Sequence, residues 1–397
     1  MKIITDAKRI EEMCARGTLV EAFPSKKELM EKLFSGERIK IYYGLDPTHT
    51  SIHLGHAKNI IFLEELRQLG HEVIVLFGDF TARVGDPGGK GIARKQLSSE
   101  EIAHNVSDWI RQIKPLISFD DAENPVQIKY NSEWLSKLTM AEVIELSANF
   151  TVQQMLERDM FEKRFEVGTP IYLHEFLYPL LQGYDSVAMD VDAELCGTDQ
   201  IFNALAGRTL LKRIKDKDKY VIALNLIANP VTGELMSKSN GTGVFIDQDP
   251  AQLFGALMAL PDAMIDPLFT NCTRIPLFEK DALMAQGPRE AKARIANDIV
   301  KRLHGEVVAQ QAEEEFIKTF SRKGIPEDIQ EITLSPGESL SDVLVKAEIV
   351  PSKTEWRRLV LDGAVKNDDT KITDPNFIPS ETMVLKVGKR RFIKIII

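Results

Sequence analysis

Two histidines bracket a Leu-Gly pair at His53-Leu54-Gly55-His56, just ahead of a run with helical spacing. A helix start carries backbone N–H groups without intrahelical partners and the positive end of the helix dipole. Phosphates settle readily at such a place. Gly55 has no Cβ, so a ligand or another backbone can approach closely. His53 and His56 can then donate hydrogen bonds to phosphate or ribose oxygens. An isolated His-x-x-His is more often packing than ligand chemistry, so the weight falls on what accompanies it.

Three other stretches carry chemistry. Residues 85–90 read GDPGGK, with Arg94 shortly after, so Asp86, Lys90 and Arg94 share one glycine-rich turn. It is not a Walker loop, because the Gly-x-x-x-x-Gly-Lys-Ser/Thr spacing is absent. Residues 235–243 read LMSKSNGTG, with Lys238 between Ser237 and Ser239. A glycine-bearing loop that offers a cation and hydroxyl donors suits a triphosphate. In YPLLQGYDS, Tyr178, Gln182 and Asp185 stand at i, i+4 and i+7 and share one helix face. The rest of that helix is apolar, so the face asks for a polar ligand or a hydrogen-bonded core. Pro179 and Gly183 are expected to loosen or kink it.

The elements that must position these groups alternate. RIKIYYG (38–44) reads as a strand, the stretch 56–69 as a helix stopped by Gly70, and EVIVLFG (72–78) as a buried strand. Ser98 and Glu101 form a capping-box signature before a helical run. VQIKY (126–130) and YVIALNL (220–226) look like further strands, with helical patterns near 140–162, 174–188 and 199–215. This alternation predicts an α/β fold with a parallel sheet. Residues 250–323 change to helical patterns rich in Ala, Leu, Glu and Lys, and a stretch bearing Pro and charge follows. The expected division is a nucleotide-binding domain (1–248), a helical domain (249–325), a linker (326–335) and a small α+β domain (336–397). In the last, two short helical patterns precede AVKNDDTKI, a hairpin candidate with Asn-Asp at its turn.

The combination of HLGH early and MSKS late, each after a predicted strand, resembles the class I aminoacyl-tRNA synthetases. YYGLDPT (42–48), GDPGGK, YPLLQGYDS and CGTDQ (196–200) are together similar to the tyrosyl-tRNA synthetases of bacterial type, from about residue 35 to the C-terminus. That resemblance implies a Rossmann-like sheet domain and a tyrosine–tRNA ligase, with ATP as substrate and magnesium beside it. It implies that Tyr42 and Asp185 hydrogen-bond the phenol of tyrosine, that Asp86, Tyr178 and Gln182 hold its α-amino group, and that Gln200 lies near its carboxylate. Gly44, Asp46, Thr48, His53, Gly55, His56, Gly197, Asp199 and Lys238 would line the nucleotide. Lys90, Arg94, Lys238 and Ser239 would close on pyrophosphate with the two histidines. A pocket whose buried polar groups pair with a hydroxyl leaves them unpaired when phenylalanine enters. Tyrosyl-tRNA synthetases are the standing example, with discrimination of about 10⁵ and no editing, a scale that belongs to the class rather than to this chain.

Two departures stand out. Leu235 takes the place of the loop's first lysine, and Cys196 stands where the family usually has glycine beside the ribose site. A neighbouring tryptophan specificity stays open, as does an RNA-binding relative without catalysis.

Net charge is −9 over 397 residues, which argues against a nonspecific nucleic-acid coat. Charge is unevenly spread: residues 335–397 carry 11 Lys/Arg against 9 Asp/Glu. VPSKTEWRRLVLDGAVKND with KVGKRRF resembles the small RNA-binding domain of the ribosomal protein S-four family, and Glu348 departs from its usual glycine. By that resemblance Lys353, Arg357, Arg358, Lys389, Arg390 and Arg391 meet phosphates. The basic helix end with Arg208, Lys212 and Arg213 is a second candidate, for the acceptor arm. The implied partners are tRNA(Tyr), tyrosine and a second copy of the chain. The three cysteines, far apart, suggest neither a disulfide framework nor a metal site. No apolar run reaches membrane length, and a cytoplasmic location is expected.

Overall fold

A computed structural model describes residues 2–86, 97–237, 241–321, 330–334, 338–347, 349–367, 370–379, 382–388 and 391–396. The chain divides into two compact units, Met1–Gln311 and Ala312–Ile397.

The first unit is built on β1 (Leu19–Phe23), β2 (Lys40–Leu45), β3 (Glu72–Phe77), β4 (Gln127–Tyr130), β5 (Ala193–Gly197) and β6 (Tyr220–Leu224). They form one sheet in the order β1-β6-β5-β2-β3-β4. β1 is antiparallel to β6, and every other neighbouring pair is parallel. In β3 the residues Val73 to Phe77 are buried without alternation, so both faces of the sheet are covered. Each such side chain stabilises the fold by roughly 1.5–3 kcal/mol. The chain passes from β2 outward to β3 and β4, then returns to lay β5 against the other side of β2. Strand order reverses there, which is where open parallel sheets place a crevice beyond their strand ends.

The predicted α/β sheet is present. β1 was not foreseen, because a register shift between Leu19 and Glu21 removes the two-residue alternation by which a strand is read. The helix predicted near 56–69 runs Leu54–Gln68. Gly70, at φ +100, turns the chain out of it, and the backbone N–H of His71 reaches back to Leu66. The Ser98/Glu101 capping box is formed at the start of helix Ser99–Ile113.

The expected kink at Pro179 and Gly183 is corrected. Leu177–Met189 is one continuous helix. Pro179 falls in its first turn, where a missing N–H costs nothing. Gly183 serves close packing: a Cβ there would stand 2.9 Å from Leu210 and 3.1 Å from the Gly207 backbone of helix Ile201–Lys215.

Helices Pro250–Ala259, Ile265–Cys272, Lys280–Ala285 and Pro288–His304 follow within the first unit. Buried Arg16 ties the N-terminal region to them, donating to the carbonyl oxygens of Phe269, Thr270 and Ile275. Among the described residues no single helix is long and apolar enough to cross a membrane.

The second unit has a sheet of β7 (Gln330–Thr333), β8 (Val365–Asn367), β9 (Thr370–Lys371), β10 (Met383–Val387) and β11 (Arg391–Ile396), in the order β7-β11-β10-β8-β9. β7 lies inside the stretch read as linker and pairs parallel with β11, burying Ile332. Its four residues carry one buried side chain, too little pattern to read as a strand. β8 and β9 form the expected hairpin, whose turn, like Glu348, lies outside the described residues. Helices Leu340–Lys346 and Lys353–Leu361 pack on a core of Leu340, Leu344, Trp356, Leu385, Ile393 and Ile395.

Candidate active site

A cavity of about 350 Å³ opens at the C-terminal ends of β2 and β5. Tyr42, Gly44, Asp46 and Thr48 reach it from β2 and the loop beyond. His53, Gly55 and His56 come from the following helix start. Asp86 follows β3, Tyr178, Gln182 and Asp185 lie on one helix, and Gly197, Asp199 and Gln200 follow β5. Leu235, Met236 and Ser237, the described part of the serine-flanked stretch, line the same cavity. The two distant motifs are also joined through the backbone. Leu54 N donates to Val244 O at 3.0 Å and Ile246 N to Ile52 O at 3.0 Å, with a β-bridge between His53 and Phe245. Lys90, Arg94, Lys238 and Ser239 lie outside the described residues.

The helix start differs from the sequence expectation in one respect. His53 is itself the N-cap, with extended backbone, and its Nδ1 accepts the Gly55 N–H at 3.1 Å. That N–H is therefore not free for a phosphate. Because Nδ1 accepts, a neutral ring carries its proton on Nε2. Glycine at 55 is required because a Cβ would stand 2.7 Å from the capping imidazole. The two rings lie 4.2 Å apart, and His56 is 5.5 Å from Trp109. Burial lowers His53 to about 4 and His56 to about 3, so both are neutral near pH 7. His56 Nδ1 is buried without a protein partner.

At the other end, Asp185 is buried and accepts from Trp134 Nε1 at 2.7 Å and Asn131 Nδ2 at 3.3 Å. Burial raises its pKa well above the usual carboxylate range against the pull of those two donors. Tyr42 is fully buried, which pushes its phenol well above 10, and its hydroxyl lies 3.1 Å from Ser186 Oγ. Tyr178 donates to Asp46 at 2.8 Å, and Thr81 donates to the other oxygen of Asp46 at 2.7 Å. Asp86 is ion-paired with Arg158 at 2.9 Å and accepts from Gln200 at 2.7 Å. Both ends of the pocket are thus pre-organised by hydrogen bonds.

Sequence reasoning missed several members. Trp134, in the short helix Ser132–Leu135, and its N-cap Asn131 hold Asp185 from more than fifty residues away in the chain. Arg158 is buried against Asp86 with Nη1 unpartnered. Lys58, one turn into the histidine helix, is 1% exposed, lines the cavity and is lowered to about 8 by burial. It donates to Asn59 Oδ1 at 2.6 Å. The sequence hint was a lysine placed just before the apolar run Ile60 to Leu63 of that helix. Cys196 is buried in the lining, and burial raises its thiol well above the usual range, which keeps it neutral.

Of the basic residues singled out in the first unit, Arg208, Lys212 and Arg213 are not among those lining this cavity. Arg208 donates to the Lys219 carbonyl oxygen at 3.0 Å, Lys212 pairs with Asp216 at 3.0 Å, and Arg213 donates to the Asn149 carbonyl oxygen at 2.8 Å. In the second unit Lys353 pairs with Asp342, Arg358 pairs with Glu355 at 2.7 Å, and Arg357 is exposed. Lys389, Arg390 and the side chain of Arg391 lie outside the described residues.

The family described as tRNA synthetases class I (W and Y) matches residues 35–321. A protein of Carboxydothermus hydrogenoformans named tyrosine–tRNA ligase is 42% identical, covering 99% of each chain. One of the same name from Haemophilus influenzae is 39% identical over 99% of this chain and 98% of its own. Among solved structures, a C-terminally truncated mitochondrial tyrosyl-tRNA synthetase of Aspergillus nidulans superposes with a TM-score of 0.65 at 23% identity, covering 79% of this chain and 94% of that one. The Archaeoglobus fulgidus tyrosyl-tRNA synthetase complexed with L-tyrosine gives 0.59 at 20% identity, over 77% and 99%. These structural likenesses speak for the fold.

Proposed function

The chain belongs to the tyrosine–tRNA ligase family of class I aminoacyl-tRNA synthetases, and from that premise we propose that it activates tyrosine with ATP and passes it to the 3′ end of tRNA(Tyr). The observation that carries this reading is the convergence of Tyr42, Asp86, Tyr178, Gln182 and Asp185 with His53, His56 and Ser237 on one cavity.

The first step is attack of the tyrosine carboxylate on the α-phosphorus of ATP. The P–O bond to the β-phosphate breaks, and tyrosyl-adenylate and pyrophosphate form. A carboxylate is already a nucleophile, so no general base is needed. The site must orient the reactants and stabilise charge as pyrophosphate leaves. Asp185 and Tyr42 read the phenol. Asp86, Tyr178 and Gln182 hold the ammonium, with Gln200 beside the carboxylate. Neutral His53 and His56 donate N–H bonds to phosphate oxygens rather than supplying charge. The nucleotide lies along Gly44, Asp46, Thr48, Gly55, Gly197 and Asp199. Lys90, Arg94, Lys238 and Ser239 supply the cations and hydroxyl for pyrophosphate. Asp199 is the hard oxygen donor type that suits the magnesium accompanying ATP, an ion that neutralises phosphate charge when bound. In the second step a ribose hydroxyl of the tRNA end attacks the adenylate carbonyl and AMP leaves.

Residues 249–325 are assigned to the anticodon side and residues 336–397 to RNA binding. Lys353, Arg357, Arg358 and Lys389 to Arg391 would meet phosphates, exposed ion pairs such as Arg358–Glu355 being cheap to exchange. Arg208, Lys212 and Arg213 are assigned to the acceptor arm on the same ground. A homodimer is supported by Met140, Ile144, Val152, Phe165, Val167 and Leu173, all more than 60% exposed within one stretch of chain. We place the protein in the cytoplasm, with its substrates.

Pyrophosphate exchange into ATP, run with each of the twenty amino acids, tests the reading. Tyrosine alone should drive exchange. Exchange driven by tryptophan instead, or by no amino acid while tRNA is still bound, would overturn it.

A further inference from the structure

At the cavity wall, where Glu194 is one of the lining residues, lies a buried ion pair. Lys219, immediately before β6, and Glu194, on β5, have side chains 0% and 2% exposed and are in direct contact. Lys219 Nζ also donates to Ser186 Oγ at 2.8 Å, and Ser186 Oγ is 3.1 Å from the Tyr42 hydroxyl. The second oxygen of Glu194 accepts from Gln182 Nε2 at 2.9 Å. Gln182 Oε1 accepts from Asn203 Nδ2 at 3.0 Å, and the same nitrogen donates to Gln200 Oε1 at 2.8 Å. Gln200 Nε2 then donates to Asp86 at 2.7 Å. One unbroken chain of hydrogen bonds runs from the phenol corner to the ammonium corner.

Stability alone does not account for two charges at this depth, since a well-packed apolar pair commonly does as well or better. What apolar residues cannot do is give a hydrogen-bond chain its direction. An ammonium only donates, and a carboxylate only accepts. Ser186 must therefore accept from Lys219, which turns its own proton elsewhere. Gln182 must offer its nitrogen to Glu194, so its carbonyl faces Asn203. Asn203 gives both its N–H groups, to Gln182 and Gln200, and its Oδ1 is left without a partner. Gln200 is thereby forced to present its nitrogen to Asp86. Every amide in the series is oriented between the Lys219–Glu194 pair at one end and the Asp86 carboxylate at the other.

We propose that Lys219 and Glu194 are positioning residues for amino-acid recognition, fixing the donor–acceptor sense in which Tyr42, Gln182 and Gln200 meet the substrate. This rests on the tyrosine-activating reading above. The test is the double variant Lys219→Met/Glu194→Gln, which removes both charges at nearly constant volume, measured as the full chain in pyrophosphate exchange. A cooperatively folded variant should show a tyrosine KM raised at least tenfold and an ATP KM changed less than twofold. A merely structural pair would lower the melting temperature and leave both KM values alone. A folded variant with tyrosine KM within twofold of the parent overturns the proposal. Should the double variant not fold, Ser186→Ala removes the relay to Tyr42 at little cost in volume. It should cut tyrosine-over-phenylalanine preference at least fivefold, and unchanged preference also overturns the proposal. Failure of the parent chain itself to exchange with tyrosine would sink the underlying reading instead, so the two failures are distinct.

Discussion

His53 and His56 titrate far below an ordinary histidine because burial disfavours their charged forms. In the unfolded chain both rings return to about 6.5. Between that value and 4, the unfolded chain takes up protons that the folded chain refuses, so stability is complete above pH 6.5 and falls as pH drops toward 4. Each ring contributes up to roughly 3 kcal/mol of that loss. Urea unfolding between pH 4.5 and 7.5 should show the decline, and His56→Asn should flatten it; an unaltered slope would mean the ring is solvated. Asp185→Ala should abolish the preference for tyrosine over phenylalanine and leave the circular dichroism spectrum unchanged. Unaltered preference would take Asp185 out of the phenol pocket. Tyr178, Gln182 and Asp185 were legible in the sequence because helical periodicity alone puts them on one face. Lys219 and Arg158 were not. Lys219 ends a run, LKRIKDKDK, that reads as solvated charge, and only the position of β6 between β1 and β5 buries it. Arg158 sits among similar charges, and its partner Asp86 is 72 residues away.

At the scale of elements, what could be read was whatever carried its own period or cap. The run Val73 to Phe77 announced a strand buried on both faces, and Ser98 with Glu101 announced a helix start. β1 and β7 escaped because each is held by its neighbour in the sheet rather than by its own pattern. Gly183 was misread for a related reason. A glycine in a helix signals weakness locally, and only the opposing helix reveals that it makes room. Gly183→Val would drive a branched side chain into Leu210 and the Gly207 backbone. It should destabilise the fold by roughly 2–4 kcal/mol, as overpacking at a rigid contact does. Thermal unfolding checks this, and because Gln182 and Asp185 share the helix, tyrosine KM should rise in whatever fraction folds.

For the whole molecule, the residues lining the cavity all belong to the unit Met1–Gln311, and the basic C-terminal residues belong to the unit Ala312–Ile397. Ending the chain after residue 321 should therefore preserve tyrosine-dependent exchange and weaken tRNA charging at least tenfold. Equal survival of both activities would mean that the second unit serves another end. The cavity owes its place to the reversal of strand order between β2 and β5, a property of the chain's path through the sheet. A hollow that arises from route rather than from the bulk of its lining survives when the lining is exchanged. A change in the ring preferred would then ask for new occupants at the strand tips and leave the architecture as it stands.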